Sequence, residues 1–240
     1  MGQTFFHGQL LAAIGPTRSG DVAVRHFPME PNSVQPSPAA SSPKLIRQII
    51  QYPHPTLRHR SKPLRRVDGE LRQMIAEMLE LMYARDGVGL AANQVDLPYR
   101  IFVMNPTGDP AQKDQEFILI NPEIFSRRGG VEEKEEGCLS LPGIYAPVRR
   151  STKIVLIAYN LQGQQVQYEL EGLAARAAQH EIDHLDGVLF IDRLSETALA
   201  AVREKLLELE QEFRTNRRLG LVPDDRQIAA RWASLEGLRT

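Results

Sequence analysis

The sequence predicts an α+β fold, with antiparallel sheets packed around one central helix and a further helix toward the C-terminus. Three observations carry that expectation. From Arg100 to Leu170 the chain is a succession of short β-branched and aromatic runs. Leu173, Ala174, Ala177, Ala178, Ile182 and Leu185 then recur near helical spacing, and Gly187 stands where such a helix would stop. Two more amphipathic stripes, over residues 71–82 and 199–213, lie on either side of that block.

Taken in order, residues 1–43 are expected to be a flexible extension, because the part from Pro28 to Pro43 is rich in Pro and Ser. Apolar residues before it are interrupted by His7, Gly8 and Gln9 with no basic residue ahead, which makes a poor secretory signal. No acidic residue precedes Asp21, so an organelle transit peptide is the second reading of the extension. The folded domain is expected over residues 44–218, opening with a strand over residues 45–50. Pro53 and Pro55 then enforce extended backbone. Asp68 is a good N-cap for a helix whose buried stripe is Leu71, Met74, Ile75, Met78, Leu81 and Met82, ended by Gly87. Residues 87–94 (Gly-Val-Gly-Leu-Ala-Ala-Asn-Gln) read as a turn from helix to strand, in which the two glycines let a ligand approach the main chain.

Strands are predicted over residues 101–104, 117–120, 153–159 and 166–170, the last two joined by a turn at residues 161–164. The acidic run at residues 132–135 reads as a solvated turn. After the central helix, residues 188–191 (Val-Leu-Phe-Ile) read as another strand. Ser195 caps the last long helix, with Leu199, Val202, Leu206, Leu209 and Phe213 as its buried stripe. Arg214, Arg217 and Arg218 near its end suit the helix dipole, and an RNA contact is their second reading. The tail, residues 219–240, carries Trp232 and has room for a short helix, which the sequence does not place.

Composition narrows the function. At 240 residues, 42% hydrophobic and 25% charged, the chain is long enough for one well-filled core and ordinary for a soluble protein. A net charge of -1 gives no general pull toward nucleic acid or anionic membrane, and no apolar run is long enough to span a bilayer. The single cysteine, Cys138, leaves no intramolecular disulfide partner and fits a reducing, cytoplasmic compartment.

The chemistry concentrates in the central helix. His180 and His184 are four residues apart and therefore share a face, where both can bind one metal ion. Glu181 lies beside them, where a carboxylate can take a proton from water that the metal activates. A catalytic site needs a third protein ligand. The pattern His-Glu-x-x-His-x-x-Gly-x-x-His would place it at position 190, but that residue is Phe190, although Gly187 is present. The other histidines, His7, His26, His54 and His59, lie in no metal motif. Cys138 is the strongest remaining candidate, since a thiolate binds Zn²⁺ or Fe²⁺ tightly.

In order and spacing, residues 87–94, residues 136–140 (Glu-Gly-Cys-Leu-Ser) and residues 179–184 (Gln-His-Glu-Ile-Asp-His) resemble the three signature motifs of peptide deformylases. The resemblance covers about residues 45–215; residues 52–57 and 142–146 look most like its cyanobacterial and plastid branch. It implies a catalytic domain over residues 44–218 that removes the formyl group from the N-terminal methionine of nascent polypeptides. It implies Fe²⁺ on Cys138, His180 and His184, replaceable by Zn²⁺, Ni²⁺ or Co²⁺. By the same resemblance Glu181 is the general acid/base, Gln94 and the Leu139 N–H stabilise the oxyanion, and Gly89 binds substrate through its backbone. Val88, Leu173 and Ala177 could line an apolar pocket for the methionine side chain, the last two sharing the face of His180. Many members carry an Arg where this chain has Tyr145, so Tyr145 receives no role. The competing readings are a metallopeptidase that cleaves internal bonds and a non-catalytic metal module that binds ribosomes through the C-terminal helix.

Overall fold

A computed structural model, describing Ile46 and residues 48–240, has five strands hydrogen-bonded in sequence order into one sheet. They are β1 (Gly89–Ala91), β2 (Ile101–Met104), β3 (Phe117–Cys138), β4 (Leu141–Tyr159) and β5 (Gln165–Glu171), and every neighbouring pair is antiparallel. Around the sheet lie α1 (Gly69–Tyr83), α2 (Gly172–Leu185), α3 (Glu196–Arg218) and α4 (Asp225–Arg239). The predicted α+β class is thus the observed one, with a single continuous sheet where the sequence suggested several. The predicted extension, residues 1–43, lies outside the described residues.

Three apolar clusters divide the interior. Leu71, Met74, Ile75, Met78 and Met82 of α1 pack on Leu90, Ile101 and Val103. The small residues Ala175 and Ala178 let α2 lie close under Phe102, Leu119, Ile154 and Leu156, with Ile182 and Leu185 completing the contact. Leu206 and Leu209 of α3 cover Leu141, Ile144 and Val148 of β4, together with Phe190. The stripe predicted for α3 therefore holds at its centre, but Leu199 is 40% exposed because the first turn of the helix runs past the sheet.

Local chemistry explains most boundaries. Asp68 caps α1 by accepting from the Leu71 N–H, and Ser195 caps α3 by accepting from the Ala198 N–H. The α1 helix stops at Tyr83, short of Gly87, whose N–H turns back to the Met82 carbonyl. Gly187 ends the turn after α2 with φ 75°, and a Cβ there would sit 2.5 Å from the Arg58 carbonyl oxygen, so only glycine fits.

Three expectations are corrected. Ile46 and residues 48–50 form no strand: the Ile46 N–H is held by the Glu77 carboxylate at 2.7 Å and the Ile50 N–H by the Gln94 carbonyl at 2.8 Å, so no ladder forms. Residues 188–191 are also not a strand. The Leu189 N–H donates to the Asp192 carboxylate, which starts a 3-10 turn at Phe190–Arg193 despite the β-branched residues. The acidic run 132–135 is no turn but lies inside β3, paired with residues 147–150 of β4. The hairpin of β3 and β4 carries four register shifts, and the last, between Gly137 and Cys138, re-aims the chain just before its tip.

Candidate metal centre and active site

The tip of that hairpin delivers Cys138 to the buried face of α2. The Cys138 sulfur and one ring nitrogen each of His180 and His184 lie within 4.8 Å of one another, and Sγ is 3.2 Å from His184 Nε2. The imidazole centroids are 4.9 Å apart, as expected for residues one helical turn apart. His180 Nδ1 lies 3.1 Å from the Glu136 carboxylate, which leaves Nε2 as its ligand atom. Burial lowers the basicity of His180, but Cys138 and Glu136 outweigh it and hold its pKa well above the ordinary value. Burial and then the charge of His180 push His184 well below it. A divalent cation fits the same donors: one thiolate and two neutral imidazoles, with a carboxylate orienting one ring.

Glu181 faces the same space. Its side chain is buried, one carboxylate oxygen has no partner, and burial pushes its pKa up to about 7. A Cβ on Gly89 would come within 2.5 Å of Glu181 Oε1, so any side chain there would have to displace this carboxylate. A cavity of about 290 Å³ opens here, lined by Cys138, His180 and Glu181. Val88, Gly89, Gln94, Leu139, Leu173 and Ala177, all named from sequence, line it as well. His184 lies beneath the cavity wall and is almost fully buried.

Gln94 comes from a 3-10 turn at Ala92–Val95, immediately after β1. Its side-chain carbonyl accepts from the Ala91 N–H at 2.8 Å, which fixes the orientation of the amide. The amide NH₂ therefore points at the Ser140 hydroxyl (3.2 Å) and the Cys138 sulfur (3.5 Å). Asn93, next to it, donates to the His184 carbonyl and ties this turn to the end of α2.

Sequence reading missed the charged cradle under the centre. Buried Glu136 accepts from Arg150 Nε and Nη2, both at 2.9 Å, and from Arg176 Nη1 at 2.6 Å, besides contacting His180. Burial alone would raise its pKa; the hydrogen bonds from Arg150 and His180 hold it far below the usual carboxylate range. Arg150 also donates to Asp183, as does Arg193, while Arg176 reaches the carbonyls of Val148 and Glu132. One signal was available. Arg176 and Asp183 sit in the most Ala-rich, buried stretch of the chain, where an unpaired charge would be costly.

Comparison with known proteins gives one answer. The family model for polypeptide deformylase matches residues 46–199. Peptide deformylase of Rhodopirellula baltica is 45% identical over 192 residues, covering 80% of this chain and 94% of that protein. Chloroplastic peptide deformylase 1B of Oryza sativa is 41% identical over 166 residues, 69% of this chain and 61% of that protein. Among solved structures, a plant peptide deformylase PDF1B superposes with a TM-score of 0.70 at 37% identity, over 78% of this chain and 99% of that one. The peptide deformylase of Plasmodium falciparum gives 0.68 at 36% identity, over 70% and 98%.

Proposed function

This chain belongs to the peptide deformylase family, a metal-dependent amide hydrolase acting on the N-terminal formylmethionine of new polypeptides, and we propose how its residues divide that work. Cys138, His180 and His184 are the metal ligands. A divalent ion on these three residues supplies the Lewis acidity that makes water a competent nucleophile near neutral pH. The native ion is Fe²⁺, with Zn²⁺, Ni²⁺ and Co²⁺ as substitutes; the thiolate and two imidazoles suit soft and borderline metals alike.

Glu181 takes the proton from the attacking water and returns it to the departing amine nitrogen, two steps that one buried carboxylate can serve. Attack on the formyl carbon builds negative charge on its oxygen. The Gln94 amide and the Leu139 N–H receive that charge, and each such donor is worth about 3 kcal/mol. Gln94 is preorganised for this, since its carbonyl end is already held by the Ala91 N–H. Gly89 holds the substrate backbone through its own main chain, where β1 runs beside Glu181. Val88, Leu173 and Ala177 form the apolar wall that takes the methionine side chain.

The observation carrying this reading is the convergence of one sulfur and two imidazole nitrogens beside a half-unpaired carboxylate at the edge of a cavity. Neither competing reading has comparable support. A structural metal module has no use for Glu181, and Phe190 stands where the alternative third histidine would be. The decisive experiment compares formyl-Met with acetyl-Met peptides for the native chain, Glu181→Ala and Cys138→Ser, with metal content measured on each. Glu181→Ala is expected to keep its metal and lose at least about 100-fold in turnover. Cys138→Ser is expected to lose the metal. Equal rates on the two peptides would sink the formyl-specific reading. Activity that fades in air and returns on anaerobic reconstitution with ferrous ion identifies iron.

The proposed domain limits are residues 44–218 for the catalytic domain and 219–240 for an appended tail. A ribosome contact through α3 is part of the same proposal. There Arg217 is engaged with Asp225, and Arg214 and Arg218 are exposed at the end of the helix. Among the described residues no helix is long and apolar enough to cross a membrane. Cytoplasm is the proposed compartment. Plant relatives named chloroplastic supply the alternative, in which residues 1–43 are a transit peptide.

A further inference from the structure

A second depression, of about 140 Å³, shares no lining residue with the active-site cavity. Arg127 and Arg149 line it from the long hairpin, together with Arg150, Ser151, Asp183 and Arg193. Of these four guanidinium groups, Arg150 is paired with Glu136 and Asp183, and Arg193 with Asp183. Asp183 makes no bond to either Arg127 or Arg149 among the described residues. Arg127 and Arg149 are exposed and have no ion-pair or hydrogen-bond partner among the described residues. Other cations on the same strands do have acidic partners: Arg128 with Glu169, Lys134 with Glu132, Lys153 with Glu171. Glu133 is opposite Arg149 in the ladder yet forms no ion pair with it. The Ser151 hydroxyl at the same spot is likewise without a partner among the described residues.

Converging like charges repel, and a low-volume polar depression keeps them together. Counter-charge from solution removes that cost. Size then decides its class. Pockets for drug-sized ligands run from roughly 300 Å³ upward, so this one takes a single compact group and not a nucleotide. Guanidinium forks match the paired oxygens of a tetrahedral oxyanion, and Ser151 adds a neutral donor. We propose that this depression is a phosphate-binding site, filled by a free phosphate group or by one phosphodiester of an RNA backbone.

The test uses the full-length, metal-loaded chain and the double variant Arg127→Ala/Arg149→Ala, whose side chains are exposed and line no part of the catalytic cavity. Inorganic phosphate is titrated against sodium chloride at matched ionic strength while thermal unfolding is followed. A short single-stranded oligoribonucleotide is titrated separately by fluorescence anisotropy. Saturable stabilisation, about 4 °C at ten times Kd, is expected for the native chain and at least a tenfold weaker affinity in the double variant. Turnover of a formyl-Met peptide is expected to be unchanged in the variant, which verifies its fold. If phosphate binds and the oligoribonucleotide does not, the source is a free phosphate; if the oligoribonucleotide binds and the variant loses that binding, the source is an RNA backbone. A response equal in both proteins, or none beyond chloride for either ligand, overturns the proposal.

Discussion

The charges beneath the metal centre and those that dock α4 do similar bonding in very different surroundings. Under the centre, Glu136 and Arg150 are each 4% exposed, and Arg176 and His180 complete the group. Around α4, Lys62 is 59% exposed in its pair with Glu236, and Arg231 is 45% exposed in its pair with Asp96. Water screens the second set and not the first. In the inner set, removing one member strands its partners in a low dielectric; in the outer set, exposed Lys62 and Arg231 are simply rehydrated when their partner is lost. The inner group thus behaves as a unit, whereas the outer one is a collection of weak ties with two buried exceptions, Glu236 and Arg239.

The sharpest break in this comparison is Glu136→Gln. It keeps the shape but leaves Arg176 without its carboxylate and Arg150 with Asp183 alone. Breaking a buried pair this way costs about 3–5 kcal/mol. For a chain of this size that is a fall in Tm of about 10 °C, read by calorimetry. The same change frees His180 Nδ1, so metal affinity is expected to drop about 10–100-fold in a competition titration with a chelator. A loss under about 1 kcal/mol would mean that the inner network orients ligands without adding stability.

Next in size is Arg239→Ala. This side chain is only 2% exposed although it lies one residue from the end of the chain. It donates to Asp68, Glu70 and the Tyr99 hydroxyl, and its N–H groups thereby bind the cap of α1 to the end of α4. Removal is expected to cost about 1–3 kcal/mol in urea unfolding, with turnover unchanged. That outcome would make Arg239 an inner-type charge in the outer set.

Much of the centre was legible in sequence because its spacing is local. Two imidazoles one helical turn apart, a glutamate between them and Gly187 after them follow from helix geometry alone. Cys138 required a count of missing ligands and a family resemblance, since its approach depends on a hairpin tip far along the chain. Of the cradle, only the buried charges Arg176 and Asp183 were legible, and not their partners. A run of glutamates reads as a solvated turn until the register of β3 against β4 directs Glu136 inward beneath Arg150 and Arg176. Residues 188–191 were misread because a side chain, Asp192, takes the N–H that a strand would have offered to a neighbour. The α4 helix gave no apolar stripe to find. It buries Ile228, Glu236 and Arg239, and two of those are charged.

Acid should separate the two regions next. Asp68 and Glu236 are both held below their ordinary pKa. Burial alone would raise each. Hydrogen bonds from the Leu71 N–H and Arg239 overcome it for Asp68, and those from Lys62 and His59 for Glu236. A depressed carboxylate contributes stability that is present above its unfolded pKa, about 4, and is lost as pH falls through the lower folded value. Docking of α4 is therefore expected to weaken below about pH 4. Trp232, stacked on His59 at 4.4 Å and donating to Thr56, reports the event as a fluorescence change. In Arg239→Ala the Asp68 share of this acid response should shrink, while the part due to the Leu71 N–H remains. A transition of unchanged midpoint and size would assign the response to other carboxylates.

The smallest effect is expected for Arg231→Ala. Arg231 reaches both the carboxylate and the carbonyl of Asp96, the residue that closes the turn carrying Gln94 with φ 61°. Its position invites a catalytic role, but its exposure argues against a large one. Exposed pairs are worth about 0–1 kcal/mol. Asp96 also keeps its bond to the Thr56 hydroxyl at 2.6 Å, and Gln94 keeps the Ala91 N–H. The turn is thus held from inside whether or not α4 touches it. Turnover of a formyl-Met peptide is expected to stay within about twofold of the native value, with a shift in urea midpoint near the limit of measurement. A tenfold fall in kcat at unchanged KM and metal content would show that α4 positions Gln94, and the division between a coupled interior and an independent exterior would fail at that contact.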